Sequence, residues 1–130
     1  MKNPALTVDT VIEYPDGAVV LIRRGNSPHK GALALPGGFV EYGETVENAA
    51  IREALEETGL EIRLNRLVGV YSDPKRDPRG HTVSVVFHAT PIGGEMKADS
   101  DAADVIRTRE YLAHPLAFDH EQILRDTFKR

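Results

Sequence analysis

The chain has 130 residues, enough for one domain (1–130) with one core, and a net charge of −4 with its histidines neutral. That balance argues against a general nucleic-acid binder, so any phosphate must be met by a metal or by individually placed Arg and Lys. The absence of cysteine excludes disulfides, thiolate metal sites and cysteine nucleophiles; no long apolar run follows Lys2, so neither a signal peptide nor a membrane span is expected, and the default location is cytoplasmic.

Ala5 to Tyr14 and Ala18 to Arg23 are β-branched-rich runs joined by Pro15-Asp16-Gly17, a turn signal, and together read as a hairpin. The second run, AVVLI, is almost wholly apolar and is expected as a buried central strand. Arg23 and Arg24 close it, either snorkelling to solvent or reaching a ligand. Gly25 to Gly31 reads as a surface loop, and Ala32 to Leu35 leads into Pro36-Gly37-Gly38.

Thr45 to Thr58 reads as a helix, with Thr45 as N-cap, helix-forming Ala49, Ala50, Ala54 and Leu55, and Gly59 where a C′ glycine ends the last turn. At 100° per residue Glu53, Glu56 and Glu57 share a face, with Ala49 and Ala50 one turn before them. Ile51, Ala54, Leu55 and Thr58 lie on the other side and are expected to face a core. Like charges this close oppose the helix. At ~5.5 Å and an effective dielectric of about 20, each pair costs roughly 3 kcal/mol before screening. A divalent cation would relieve that, and an oxygen-only donor set favours Mg²⁺ or Mn²⁺, whose remaining positions are commonly shared with substrate phosphates. The plain alternative is a solvated acidic face. Bare backbone at Gly37 and Gly38 lets a metal or phosphate meet main-chain groups, and Arg52 is placed to pair with Glu56 or Glu44.

Leu60 to Tyr71 and His81 to Thr90 read as strands. The loop between them, SDPKRDPRGH, carries Lys75, Arg76, Arg79 and His81; it is either a solvated turn or a flexible basic rim for substrate phosphates or a partner subunit. Ile92 to Ala103 reads as a Gly- and Asp-rich loop holding Glu95, Asp99 and Asp101, with Asp104 just beyond. A final helix from Asp119 has a capping-box-like start with Gln122 and a core stripe of Ile123, Leu124 and Phe128.

The pattern Gly38-x5-Glu44-x7-Arg52-Glu53-Ala54-x-Glu56-Glu57-x-Gly59-Leu60 resembles the Nudix box, complete and in register. Strands grouped around one box helix, plus a C-terminal helix, suggest an α/β fold, an α/β/α sandwich around a mixed β-sheet, which is also the Nudix fold. The resemblance further implies a pyrophosphohydrolase acting on a nucleoside diphosphate linked to another moiety. It implies Mg²⁺ (or Mn²⁺) held by Glu53, Glu56, Glu57 and the backbone at Gly37, with Arg52 orienting the glutamates and Glu44 buttressing the loop. Water activated by the metal attacks phosphorus, and a carboxylate takes its proton: a box glutamate or one from the 95–104 loop, where Asp101 matches best. Gly69–Pro74, Arg76–Arg79, His81–Ser84 and Leu116–His120 are similar to runs in small prokaryotic Nudix ADP-ribose pyrophosphatases, and Pro74 and Pro78 are both candidates for the proline that marks that branch. ADP-ribose is therefore the expected substrate, with Arg24, Gly37, Gly38, Arg76 and Arg79 as substrate-binding candidates. Relatives of this type carry an aromatic pair where this chain has Arg107-Thr108, and they are commonly dimers, so a homodimer is expected although the sequence marks no interface. The rivals are a nucleoside triphosphate pyrophosphohydrolase, acting on ordinary or oxidised nucleotides, a metal–nucleotide sensor without turnover, and a purely structural acidic domain.

Overall fold

The computed structural model describes residues 2–97 and 102–129. Its elements are β1 (Ala5–Ile12), β2 (Val19–Arg24), β3 (Leu33–Ala34), β4 (Gly37–Phe39), α1 (Val46–Thr58), β5 (Leu60–Tyr71), β6 (Thr82–Gly94), β7 (Ala102–Thr108), a 3₁₀ turn (Tyr111–Ala113) and α2 (His120–Thr127). One sheet has the order β4-β1-β6-β5 and is mixed, because β1 runs parallel to β6 while the other pairings are antiparallel. The other, β3-β2-β7, is antiparallel.

The turn at Pro15-Asp16-Gly17 forms, but the expected hairpin does not. Tyr14 N donates to Ala18 O at 2.8 Å, Asp16 Oδ1 accepts from Ala18 N at 3.0 Å, and Gly17 takes φ 88°. Beyond one bridge, Glu13 to Val19, the strands part into different sheets. The cause is their composition. Val8, Val11, Ile12, Val19, Val20 and Leu21 are all 0% exposed, so residues of both parities need cover. A central place in a sheet covered on two faces supplies that; a hairpin with one wet face does not.

Alternation along β1 and β6 then assigns the layers. Val8, Ile12, Phe87 and Ala89 pack in the clusters that hold Ala49, Ala50 and Ala54 of α1. Val11 and Val86 pack with Ile123 and Leu124 of α2. The helices thus cover opposite faces, giving the expected α/β/α sandwich on a mixed sheet. Each fully buried aliphatic side chain here contributes roughly 1.5–3 kcal/mol.

Three local expectations are corrected. In α1 the buried residues are Ala49, Ala50, Ala54 and Thr58, while Ile51 and Leu55 are 38% and 49% exposed rather than facing the core. Small side chains let α1 approach the sheet closely enough for its glutamates to reach β4, which a layer of Ile and Leu would prevent. The segment after Thr90 is less loop-like than its glycines suggest: β6 continues to Gly94 against β5, and β7 begins at Ala102 against β2. Asp119 precedes α2 without capping it, because its carboxylate is taken by Arg76. No described helix is long and apolar enough to cross a membrane.

Candidate active site

Two backbone details bring α1 against β4. Thr45 Oγ1 accepts from Asn48 N at 3.1 Å and starts the helix; Gly59, at φ 78°, ends it with its N–H on Leu55 O at 2.9 Å. Strand β4 pairs with β1 in the register Val8 to Gly38 and Asp9 to Gly37. Side chains are excluded from this seam. A Cβ on Gly38 would collide with the Glu53 carboxylate, and one on Gly37 with Val8 O and Asp9 Oδ1. The glycines are there because carboxylates and main chain must touch.

Glu53 and Glu57 meet at that seam. Glu57 Oε2 is buried and has no hydrogen-bond partner. Burial, and then the Glu53 carboxylate beside it, pushes the Glu57 carboxyl up to about 9, against a smaller opposing effect of the Gly37 backbone amide. In the metal-free protein a proton therefore holds the place of a positive charge. A divalent cation fits these residues: the donors are all oxygen, one is an orphaned buried carboxylate oxygen, and the adjoining backbone is bare. Glu56 lies apart from the pair, its side chain 52% exposed and 3.2 Å from Arg52 Nη1. Accordingly, among the described residues no three acidic or histidine side chains converge on one point.

Arg52 organises the acids. Its Nε and Nη2 donate to Glu44 at 2.7 and 3.0 Å, Nη1 donates to Glu53 at 2.7 Å as well as to Glu56, and Nη2 also reaches Phe39 O at 3.1 Å. Glu44 Oε1 in turn accepts from Glu41 N at 3.0 Å, closing the loop before the helix. The Arg52 guanidinium holds the Glu44 carboxyl down at about 2.

Above the seam opens a cavity of about 370 Å³, lined among others by Gly37, Gly38, Glu57, Arg24, Arg76 and Arg79. The expected substrate-binding residues are thus brought together with one of the acids. They are not equivalent. Arg76 is not on a flexible rim: its side chain is 5% exposed, pairs with both oxygens of Asp119 at 2.9 and 2.7 Å, and donates to Thr82 Oγ1 at 2.7 Å. Arg79 holds Asp77 at 2.8 Å yet is half exposed. Arg24 and Arg79 stand 5.0 and 5.6 Å from the centre of the Phe118 ring, within cation–π range. Asp101, and Asp99 with it, lies outside the described residues; Glu95 and Asp104 are exposed. Arg107 lies 3.7 Å from the Tyr14 ring centre.

Sequence reasoning missed Asp9, Phe118 and His120 as wall residues. For Asp9 there was a signal, a lone charge within the apolar strand ALTVDTVI. Burial raises its carboxyl to about 7 and lowers His120 to about 3.

These values set a pH dependence. Glu57 and Asp9 bind protons more tightly in the folded chain than in the unfolded one, so the stability they contribute is fully present below their unfolded values of 4.5 and 3.8, and is lost as pH rises through about 7 to 9. The melting temperature of the metal-free protein is expected to fall across that window, and saturating Mg²⁺ to flatten the fall. A metal-free midpoint that stays level or climbs over the window would refute this account of the acids.

The sequence model of the NUDIX domain matches residues 3–127. The chain is 53% identical, over 95% of its length and 73% of the relative's, to an ADP-ribose pyrophosphatase of Methanocaldococcus jannaschii. It is 34% identical, over 98% of its length, to an ADPR-responsive transcriptional repressor, NtrR, of Acinetobacter baylyi, and spans 54% of that protein. Among solved structures, the NUDIX domain of Shewanella oneidensis NrtR complexed with ADP ribose superposes with a TM-score of 0.86 at 30% identity, covering 98% of this chain and 88% of that one.

Proposed function

This chain belongs to the NUDIX domain family, and on that premise we propose that it is a pyrophosphohydrolase whose substrate is ADP-ribose, cleaved to AMP and ribose 5-phosphate. The observation that carries the reading is the orphaned, buried Glu57 oxygen beside bare Gly37, in a cavity whose other walls supply Arg24 and Arg79. Enzymes of this family use divalent cations. In our reading Glu53, Glu56 and Glu57, with the Gly37 backbone, would hold Mg²⁺ (or Mn²⁺). When bound, the cation offsets the charge of the diphosphate and acidifies the water that attacks phosphorus.

The protein's own groups do the rest. Arg52, braced by Glu44, fixes Glu53. Arg24 and Arg79 oppose the negative charge of the substrate, and with Phe118 offer a flat cationic and aromatic wall to a base. Arg76 acts through Asp119, pinning the 73–81 loop to the start of α2. Asp101 or a box glutamate accepts the proton of the attacking water. A homodimer of such domains, each filling 1–130, belongs to the same proposal.

The test is a panel of ADP-ribose, nucleotide sugars, dinucleoside polyphosphates and 8-oxo-dGTP with Mg²⁺, read by product analysis. ADP-ribose is expected to have the highest kcat/KM and EDTA to abolish turnover. Binding of ADP-ribose without hydrolysis would favour the sensor reading instead, which the similarity to a repressor makes the relevant rival.

A further inference from the structure

The cavity wall holds a polar pair that the diphosphate chemistry leaves unused. Asp9 and His120 are both buried, and both line the cavity. Asp9 Oδ2 accepts from Ser84 Oγ and lies 4.0 Å from Arg76 Nη2. Asp9 Oδ1 has no hydrogen-bond partner among the described residues and stands 3.6 Å from His120 Nε2. The Leu35 amide donates to His120 Nδ1 at 3.0 Å, so in the neutral ring Nε2 carries the proton.

That separation is too long for a hydrogen bond and short enough to share one guest atom. A hydroxyl oxygen can stand about 2.8 Å from both, accepting from His120 and donating to Asp9. A phosphate oxygen can only accept, so it could pair with Asp9 only by keeping that carboxyl protonated, whereas a hydroxyl also pairs with the ionised form. An apolar group would leave donor and acceptor unpaired. The pair also sits beside the diphosphate position, since Asp9 pairs with Gly37 across β1 and β4 and a Cβ on Gly37 would touch Asp9 Oδ1.

Resting on the functional reading above, we propose that Asp9 and His120 form a sugar-hydroxyl subsite that makes the enzyme select a ribose over its deoxy counterpart. The hydroxyl can belong to the nucleoside ribose or to the distal pentose. Both are the same chemistry, and substrate analogues separate them.

Wild-type protein with Mg²⁺ is assayed on ADP-ribose, on its analogue deoxygenated in the adenosine sugar, and on its analogue deoxygenated in the distal pentose. One analogue is expected to lose roughly 10- to 100-fold in kcat/KM, mainly through KM, as removal of a hydrogen bond to a charged group predicts. Which one it is identifies the sugar. In His120→Asn, whose shorter amide can still accept from Leu35 but no longer reaches the guest, and in Asp9→Asn, that discrimination should shrink to about threefold or less. Circular dichroism confirms that each variant is folded. Equal turnover of all three compounds by the wild type would overturn the subsite while leaving the hydrolase reading intact, as would discrimination that persists in both folded variants. Failure to hydrolyse ADP-ribose at all would sink the hydrolase reading and this inference together. If neither variant folds, equal turnover of the three compounds by the wild type still overturns the subsite.

Discussion

Glu57→Gln is expected to lower kcat on ADP-ribose by on the order of 10³-fold, equivalent to about 4 kcal/mol of transition-state stabilisation, while the metal-free fold is left intact or slightly stabilised. The two halves follow from one fact. Glu57 is already held neutral by its burial and by Glu53, so a neutral amide of the same shape removes little from the metal-free protein. It does remove the carboxylate that a cation would recruit by displacing the proton. Thermal melts separate the effects, because Mg²⁺ should raise the midpoint of the wild type and leave that of the variant in place. Glu53→Gln should resemble it. Glu56→Gln should cost less, since Glu56 stands exposed at the edge of the pair. A Glu57→Gln protein that keeps more than about a tenth of wild-type turnover is incompatible with this assignment.

The box itself was legible because every step in it is local. Thr45, Gly59 and the glutamate spacing act within a few turns of one helix, and the Gly37-Gly38 pair advertises a close approach by main chain. The layering was legible from strands grouped around the box helix with a second helix at the C-terminus, and the family resemblance implies the same. The strand pairing was not, because a turn signal says nothing about which sheet a strand joins afterwards, and the residues suggested a β1–β2 hairpin. The inward face of α1 was misread because hydrophobicity ranks Ile51 and Leu55 above alanine, whereas the distance from helix to sheet is set by side-chain size. The role of Arg76 was invisible for a different reason. Its partner Asp119 lies 43 positions away, and nothing in SDPKRDPRGH distinguishes a buried bidentate arginine from a solvated one. His120 was hidden in the same way, defined by Leu35 and Asp9, which the chain brings to it only when folded.

Arg52→Ala tests whether the acids are held by geometry or only balanced by charge. The wild-type guanidinium spreads its donors over Glu44, Glu53, Glu56 and Phe39 O. Without it, three carboxylates lose their shared cation and Glu53 loses its anchor. We expect a loss of about 10²-fold, chiefly in kcat, together with a lower melting temperature, in line with removing several hydrogen bonds between charged groups at a partly exposed site. Arg52→Lys should recover some stability and little activity, because a point charge cannot reproduce the bidentate grip on Glu44. The pH dependence distinguishes this from a general loss of structure. Glu44 is held down at about 2 by Arg52, so the stability of that pair is present above the ordinary value of 4.5 and is lost as pH falls through 2. The melting difference between wild type and variant should therefore be full at neutral pH and close progressively over that acid window. If activity instead returned in Arg52→Ala at saturating Mg²⁺, charge balance alone would account for Arg52, and its positioning of Glu53 would have to be abandoned.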